Sequence, residues 1–191
     1  GDTVKKQFTK EAIEAAFMKL LYEKTFDKVT VKDVVDECGL TRNTFYYYYD
    51  DTYDVLDSIL QKELGRATAA AAESDVLESV ISASVAFATT HPRCVRHLAE
   101  SSKRQELAAY INRSVAVAYD AYIDRLCSHV RISDEDKKLI SDFYRNAFQG
   151  IMNEWISGGR REPIDGRLKR ARELFGGSIQ QAVDRAAGKI N

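Results

Sequence analysis

Residues 42–48 of this chain read Arg-Asn-Thr-Phe-Tyr-Tyr-Tyr, a run rich in hydrogen-bond donors and flat rings. Arg42 offers a planar fork of donors that matches guanine O6 and N7, or a phosphate. Asn43 donates and accepts at once, as an adenine edge requires. Thr44 carries a methyl for a thymine methyl and a hydroxyl for a phosphate. Tyr47 and Tyr48 are able to lay a ring against a sugar and donate a phenolic hydrogen bond to a phosphate. This is the chemistry of recognition. Bond-making chemistry has no comparable signature: no phosphate loop, zinc motif, nucleophile elbow or pair of catalytic carboxylates at recognisable spacing is present. An enzyme is therefore not expected, nor a catalytic residue, cofactor or metal. Of three histidines able in principle to bind metal, His91, His97 and His129, the two that flank Pro92, His91 and His97, read as structural or pocket-lining.

Contacts of this kind need a short helix held outward, and the flanking residues provide one. Val31, Val34, Val35 and Cys38 recur at i, i+3, i+4 and i+7, a single apolar stripe at helical spacing. Thr30 precedes them as an N-cap. Gly39 ends the helix, because glycine takes the left-handed conformation readily. Leu40 then anchors the turn and Thr41 caps a second helix, which starts at Arg42 and buries Phe45 and Tyr49. Two short helices around a glycine turn make a helix-turn-helix, whose second helix fits the major groove of DNA. The tyrosines have another reading, as core and rim of a helical domain. Successive residues point about 100° apart on a helix, so Tyr46 to Tyr49 cannot all be buried and some rings must face outward.

The whole chain has 191 residues, 45% of them hydrophobic and 30% charged, with only 2 prolines and 10 glycines. Together with its apolar stripes this predicts an all-α fold. No apolar run is long enough to cross a bilayer and no signal peptide opens the sequence, so a cytoplasmic protein without a membrane partner is expected. The 3 cysteines, Cys38, Cys94 and Cys127, are widely separated and odd in number, which fits free thiols in a reducing compartment. The net charge of −1 predicts no general attraction to nucleic acid. DNA binding must then rest on a local positive face. Lys5, Lys6 and Lys10 lie where they could reach a phosphate, a solvated and frayed N-terminus being the other reading of Lys5 and Lys6.

A first helix is expected from about Thr9 to Lys24, with Ile13, Ala16, Phe17, Leu20 and Leu21 as its core stripe and Phe26 and Val29 sealing the connection. From Phe8 to Leu56 the sequence resembles the TetR/AcrR family of transcriptional regulators. The likeness is carried by TKEAIEAAFMKLLYEKTF, by the threonine opening the second helix, by CGLTRNTFYYYY and by Asp54–Val55–Leu56 leading into a fourth helix. It implies operator contacts at Thr30, Lys32, Thr41, Arg42, Asn43, Thr44, Tyr46, Tyr47, Tyr48 and Thr52, and a homodimer on a pseudo-palindromic double-stranded DNA operator. The family usually has a phosphate-gripping lysine where this chain has Thr52, beside Asp50 and Asp51. Those acids suit a helix N-terminus but weaken phosphate binding there, so a shallower salt dependence is expected.

The fourth helix is expected to run from Thr52 through Leu64 into the alanine-rich tract Ala67 to Ala72, joining a head (residues 1–52) to a helical body (residues 53–191) without a flexible linker. Apolar stripes predict a helix holding Val76, Leu77, Val80, Ile81, Val85 and Phe87, broken at Pro92. A short helix follows with Val95 and Leu98, then a long one from about Gln105 to Val130. Another is opened by Ser133–Asp136 and closed by Gly158–Gly159, and a final helix after Pro163 runs through Gly176–Gly177 to Ala186.

The resemblance makes this body the effector-binding and dimerisation part. Phe87, His91, His97, Tyr110, Tyr119, Tyr122, Phe148 and Trp155 are the candidates to line a pocket for an unknown small-molecule effector, although aromatics at helical spacing serve equally as plain core. The last two helices are expected to meet their mates in a four-helix bundle, with Ile151, Trp155, Leu168, Phe175, Ser178, Ile179 and Ala182 at the interface. MNEWISGGRREP is similar to the corresponding segment of the dihydroxyacetone-kinase regulator group. The nearby Arg160, Arg161, Arg167, Lys169, Arg170 and Arg172 read as a solvated face or as a surface for an anion. The expected function is a DNA-binding transcriptional regulator, a repressor released from its operator by an effector. The alternative is a ligandless transcriptional co-activator, or a helical adaptor that binds protein rather than DNA.

Overall fold

A computed structural model describes residues 2–69, 83, 86–157 and 164–188, and every regular element among them is helical. The helices are α1 (Asp2–Glu23), α2 (Val31–Cys38), α3 (Arg42–Tyr48), α4 (Thr52–Ala69), α5 (Pro92–Ala99), α6 (Arg104–Leu126), α7 (Asp134–Ser157), α8 (Ile164–Phe175) and α9 (Ser178–Ala186), with a 3-10 turn at Phe26–Lys28. Residues 86–90 are helical as well. The alanines at 70–72, Val76, Leu77, Val80, Ile81, Val85, Gly158, Gly159, Arg160, Arg161 and Pro163 lie outside the described residues.

Two compact units result: residues 1–66 with 86–111, and residues 67–85 with 112–191. The boundary expected after residue 52 falls inside the first of them. Its core follows from the stripe on α1. Ile13, Phe17 and Leu21 are fully buried, as are Val34 of α2, Phe45 of α3 and Val55 and Leu56 of α4, and Phe17 meets the ring of Phe26 edge-on. α1 packs on α2 and also on α5, whose Cys94 and Val95 are buried. Pro92 is the first residue of α5, where its missing N–H has no helical partner to lose. The second unit is centred on Ile123, Cys127, Ile140, Ile179 and Val183, contributed by the end of α6, by α7 and by α9.

Two expectations are corrected. α1 begins at Asp2, two turns before Thr9, so Lys5 and Lys6 stand on a helix. The final helix is broken at Gly176–Gly177 into α8 and α9. Gly177 takes the left-handed conformation (φ 77°) and serves as N-cap of α9. Two adjacent glycines make a helix interior about 2 kcal/mol poorer than two alanines, while costing a left-handed turn nothing. A Gly177→Ala variant should therefore lose about 1–2 kcal/mol, seen as a lower urea midpoint with unchanged slope.

Candidate nucleic-acid interface

Local hydrogen bonding sets the two helices of the helix-turn-helix. Thr30 and Asp33 form a reciprocal capping box: the Thr30 hydroxyl accepts from the Asp33 N–H at 3.1 Å, and the Asp33 carboxylate accepts from the Thr30 N–H at 3.0 Å. Lys24 donates to the same carboxylate at 2.9 Å. The Lys24 and Thr30 bonds hold its pKa well below the usual range. Gly39 (φ 68°) ends α2. Thr41 caps α3 by accepting from the Thr44 N–H at 3.2 Å.

α3 is fixed by two rings and leaves its leading edge in solvent. Phe45 is fully buried and Tyr49 nearly so, while Arg42, Asn43, Tyr46 and Tyr47 are exposed and Thr44 and Tyr48 half-buried. No carboxylate among the described residues pairs with Arg42. Lys32 bonds to Asp36 at 2.6 Å, which raises its pKa, and lies close enough to Arg42 to feel its charge. The structure thus brings the starts of α2 and α3 together. The hydroxyls are less available than the sequence suggests. The Thr30 hydroxyl donates its hydrogen to Asp33 at 2.7 Å. Thr41 and Thr44 hydrogen-bond to each other at 2.9 Å, leaving one hydroxyl hydrogen for a phosphate. Thr52 opens α4, half-buried, and Asp51 caps that helix by accepting from the Asp54 N–H at 3.0 Å.

Behind α3 stands a residue the sequence reading passed over. Glu14 of α1 is only 8% exposed. Its carboxylate accepts from the Tyr49 hydroxyl at 2.8 Å, from Ser58 at 2.7 Å and from Lys62. Burial pushes its pKa up, but the bonds from Lys62, Ser58 and Tyr49 together outweigh this and the pKa falls. The only sequence signal was a charge within the stripe of Ile13, Phe17 and Leu21.

The candidates for effector binding divide between the units. In the first, His97 bonds through Nδ1 to the Leu21 carbonyl at 2.7 Å, and the Tyr110 hydroxyl donates to Asp54 at 3.3 Å. Burial and the acids around it push the Tyr110 pKa up to about 12. Tyr53 bonds Glu106 at 2.8 Å, and the Ser102 N–H bonds Asp27 at 3.3 Å. α5 and the start of α6 therefore clasp the helix-turn-helix. Phe87 and His91 are in ring contact (5.0 Å) and line an open cleft of about 560 Å³ with Met18, Tyr22, Ile59 and Glu14. In the second unit Tyr119 and Trp155 are buried, Phe148 is half-buried, and Tyr122 packs on the central cluster.

Of the expected interface residues, Phe175 is exposed, Ile151 and Ser178 are half-buried, and Ile179 and Ala182 sit in or against the unit's own core. The side chain of Leu168 lies outside the described residues.

Residues 13–59 match the family described as "Bacterial regulatory proteins, tetR family", and residues 75–175 match a "Transcriptional regulator C-terminal region" of the same grouping. The chain belongs to the TetR family. It is a DNA-binding transcriptional regulator with a helix-turn-helix head. No curated protein sequence matches this TetR-family chain. Among solved structures it is similar to "Dihydroxyacetone kinase operon activator DhaS" (TM-score 0.62, 15% identity, covering 91% of this chain and 97% of that one). It is also similar to a TetR transcriptional regulator from Streptococcus agalactiae 2603V (TM-score 0.57, 17% identity, 91% and 96% covered). A third is NalD, "the secondary repressor of MexAB-OprM multidrug efflux pump in Pseudomonas aeruginosa" (TM-score 0.57, 16% identity, 88% and 95% covered). At these identities the likeness concerns the fold. No described helix of this TetR-family regulator is long and apolar enough to cross a membrane.

The Glu14 network gives the head a pH signature. Because folding lowers the Glu14 pKa, its contribution is complete above the usual glutamate range and is lost as the pH falls through the lower folded value. A Tyr49→Phe variant removes one donor to the buried carboxylate. It should cost about 1.5–3 kcal/mol at neutral pH and move acid unfolding to higher pH, both measurable by urea titration across the acid range.

Proposed function

We propose that this regulator acts as a cytoplasmic homodimer without catalytic activity. It sets α3 of each subunit into successive major grooves of a pseudo-palindromic operator, about 34–36 Å apart. The observation that carries this reading is α3 itself, pinned by Phe45 and Tyr49 while Arg42, Asn43 and Tyr47 stand in solvent. Direct readout falls to Arg42 and Asn43. Thr44, Tyr46, Tyr47, Tyr48 and the residues opening α2 and α4 position the phosphate backbone.

Dimerisation is supported by an apolar stripe on α7. Leu139 and Phe143 are 65% and 66% exposed, and the small Ala147 and Gly150 continue the same face into solvent. Leu174 and Phe175 at the end of α8 are exposed too. A stripe of this size on a single subunit would be an aggregation hazard. Small residues beside large ones suit a close helix–helix contact.

The clasp supports release by a small-molecule effector. A ligand that favours a different setting of α5 and α6 shifts the population away from the DNA-binding form, by as much as its affinities for the two forms differ. Phe87 and His91 belong to the one cleft described, which also reaches Glu14 and Lys62. Repression by occlusion of polymerase is the simplest outcome of operator binding. The similar folds include a protein named an activator and one named a repressor, and the placement of the operator relative to the promoter decides between the two.

Selection of bound sequences from random DNA, repeated with small-molecule extracts, tests the whole reading. A palindromic motif whose recovery falls with an extract fraction is expected; absence of any enriched sequence would leave the protein-binding adaptor. Arg42→Ala should cost about 1–3 kcal/mol per half-site and relax the preference at one base pair. Leu139→Glu with Phe143→Glu should reduce the sedimenting mass from twice 21.6 kDa to that of one chain, with operator binding lost at the same concentration.

A further inference from the structure

The acids at the start of α4 leave an electrostatic gap in the DNA-facing surface. Thr52 occupies the first position of α4, and Asp50 and Asp51 beside it are exposed. The first turns of α1 carry Lys5, Lys6 and Lys10. Lys6 Nζ stands 5.9 Å from the centre of the Tyr47 ring, and Lys10 Nζ stands 5.3 Å from that of Tyr49. The beginning of α1 therefore comes close to α3 at Tyr47, a tyrosine that is 66% exposed.

Among the described residues no carboxylate pairs with Lys5, Lys6 or Lys10, whereas Lys19, Lys24, Lys32 and Lys62 are each paired. The acid one turn further along α1, Glu11, is bonded to Gln7 at 2.8 Å. Lys10 is half-buried over Tyr49; Lys5 and Lys6 are exposed. The opening of α1 thus carries cations that no described carboxylate compensates, beside the recognition surface.

We infer that Lys5 and Lys6 form a phosphate clamp on α1, gripping the DNA strand that runs beside α3, where the start of α4 offers Thr52 and two acids but no cation. The inference rests on the DNA-binding reading of α3 above. Tyr47 has a definite part in it. A cation over the face of a tyrosine is attracted by the ring quadrupole, so the ring holds the Lys6 ammonium on the groove side while leaving its N–H donors free for phosphate oxygens. Contacts of this type position the protein and carry no base preference. Each adds to the salt dependence of binding by releasing a condensed counterion.

The test uses the full chain and an operator fragment obtained by selection. Affinity is measured from 50 to 200 mM salt for the wild type, for Lys5→Gln with Lys6→Gln, and for that pair combined with Thr52→Lys. Each lost phosphate contact lowers the slope of log K against log salt by about 0.9, so the double variant should be shallower by about 3.6, with two lysines on each subunit. The selected sequence should not change, and Thr52→Lys should restore about half of the lost slope. A double variant with the wild-type slope, or with an altered base preference, would overturn the clamp. A wild type that binds no selected sequence would instead defeat the reading of α3 on which the clamp rests, and the clamp with it.

Discussion

One buried carboxylate organises the DNA-binding unit. Glu14 stands in the apolar face of α1, where an unpaired charge would cost several kcal/mol. Three donors from two later segments satisfy it: Tyr49 at the end of the recognition helix, and Ser58 and Lys62 on α4. Burial makes the arrangement conditional on all three. A carboxylate so enclosed tolerates little error in the placement of its partners, because leaving one bond unmade exposes it to the penalty of desolvation. The orientation of α3 is consequently fixed from behind, by chemistry that never meets DNA, and the leading edge of the helix is free of structural duty.

The overall electrostatics follow a similar division. The chain as a whole is close to neutral, and Lys19, Lys24, Lys32 and Lys62 of the first unit are each tied to an acid. Among the described residues, Lys5, Lys6 and Lys10 on α1 and Arg42 at the start of α3 have no carboxylate partner. A protein of this kind has little reason to linger on random DNA. Its grip has to come from a few cations in the right places together with the fit of α3 to base edges.

The helix-turn-helix was legible because its determinants are local. Thr30, Gly39 and Thr41 act within four residues of their own position, and the stripes of α1 and α2 repeat at helical spacing; all appear in the structure as read. Glu14, His97 and Tyr110 were not legible as structural residues, since their partners lie far away in sequence and no spacing rule connects them. His97 and Tyr110 carry the same aromatic and polar character whether they face a ligand or fasten one helix to another. The break at Gly177 was hidden for a different reason. An apolar stripe continues across it, and a stripe reports which face is buried without reporting whether the backbone between two turns remains helical.

The turn between α3 and α4 has a mechanical consequence. One oxygen of Asp54 accepts from the Asp50 N–H at 2.9 Å, and the other accepts from Tyr110 on α6. The peptide leaving the recognition helix, the first turn of α4 and the first turns of α6 thus converge on a single side chain. Two hydrogen bonds to one carboxylate tie the three together. On the function proposed above, a displacement of about one ångström carried through Asp54 would matter at α3, because hydrogen bonds to bases weaken steeply over that distance.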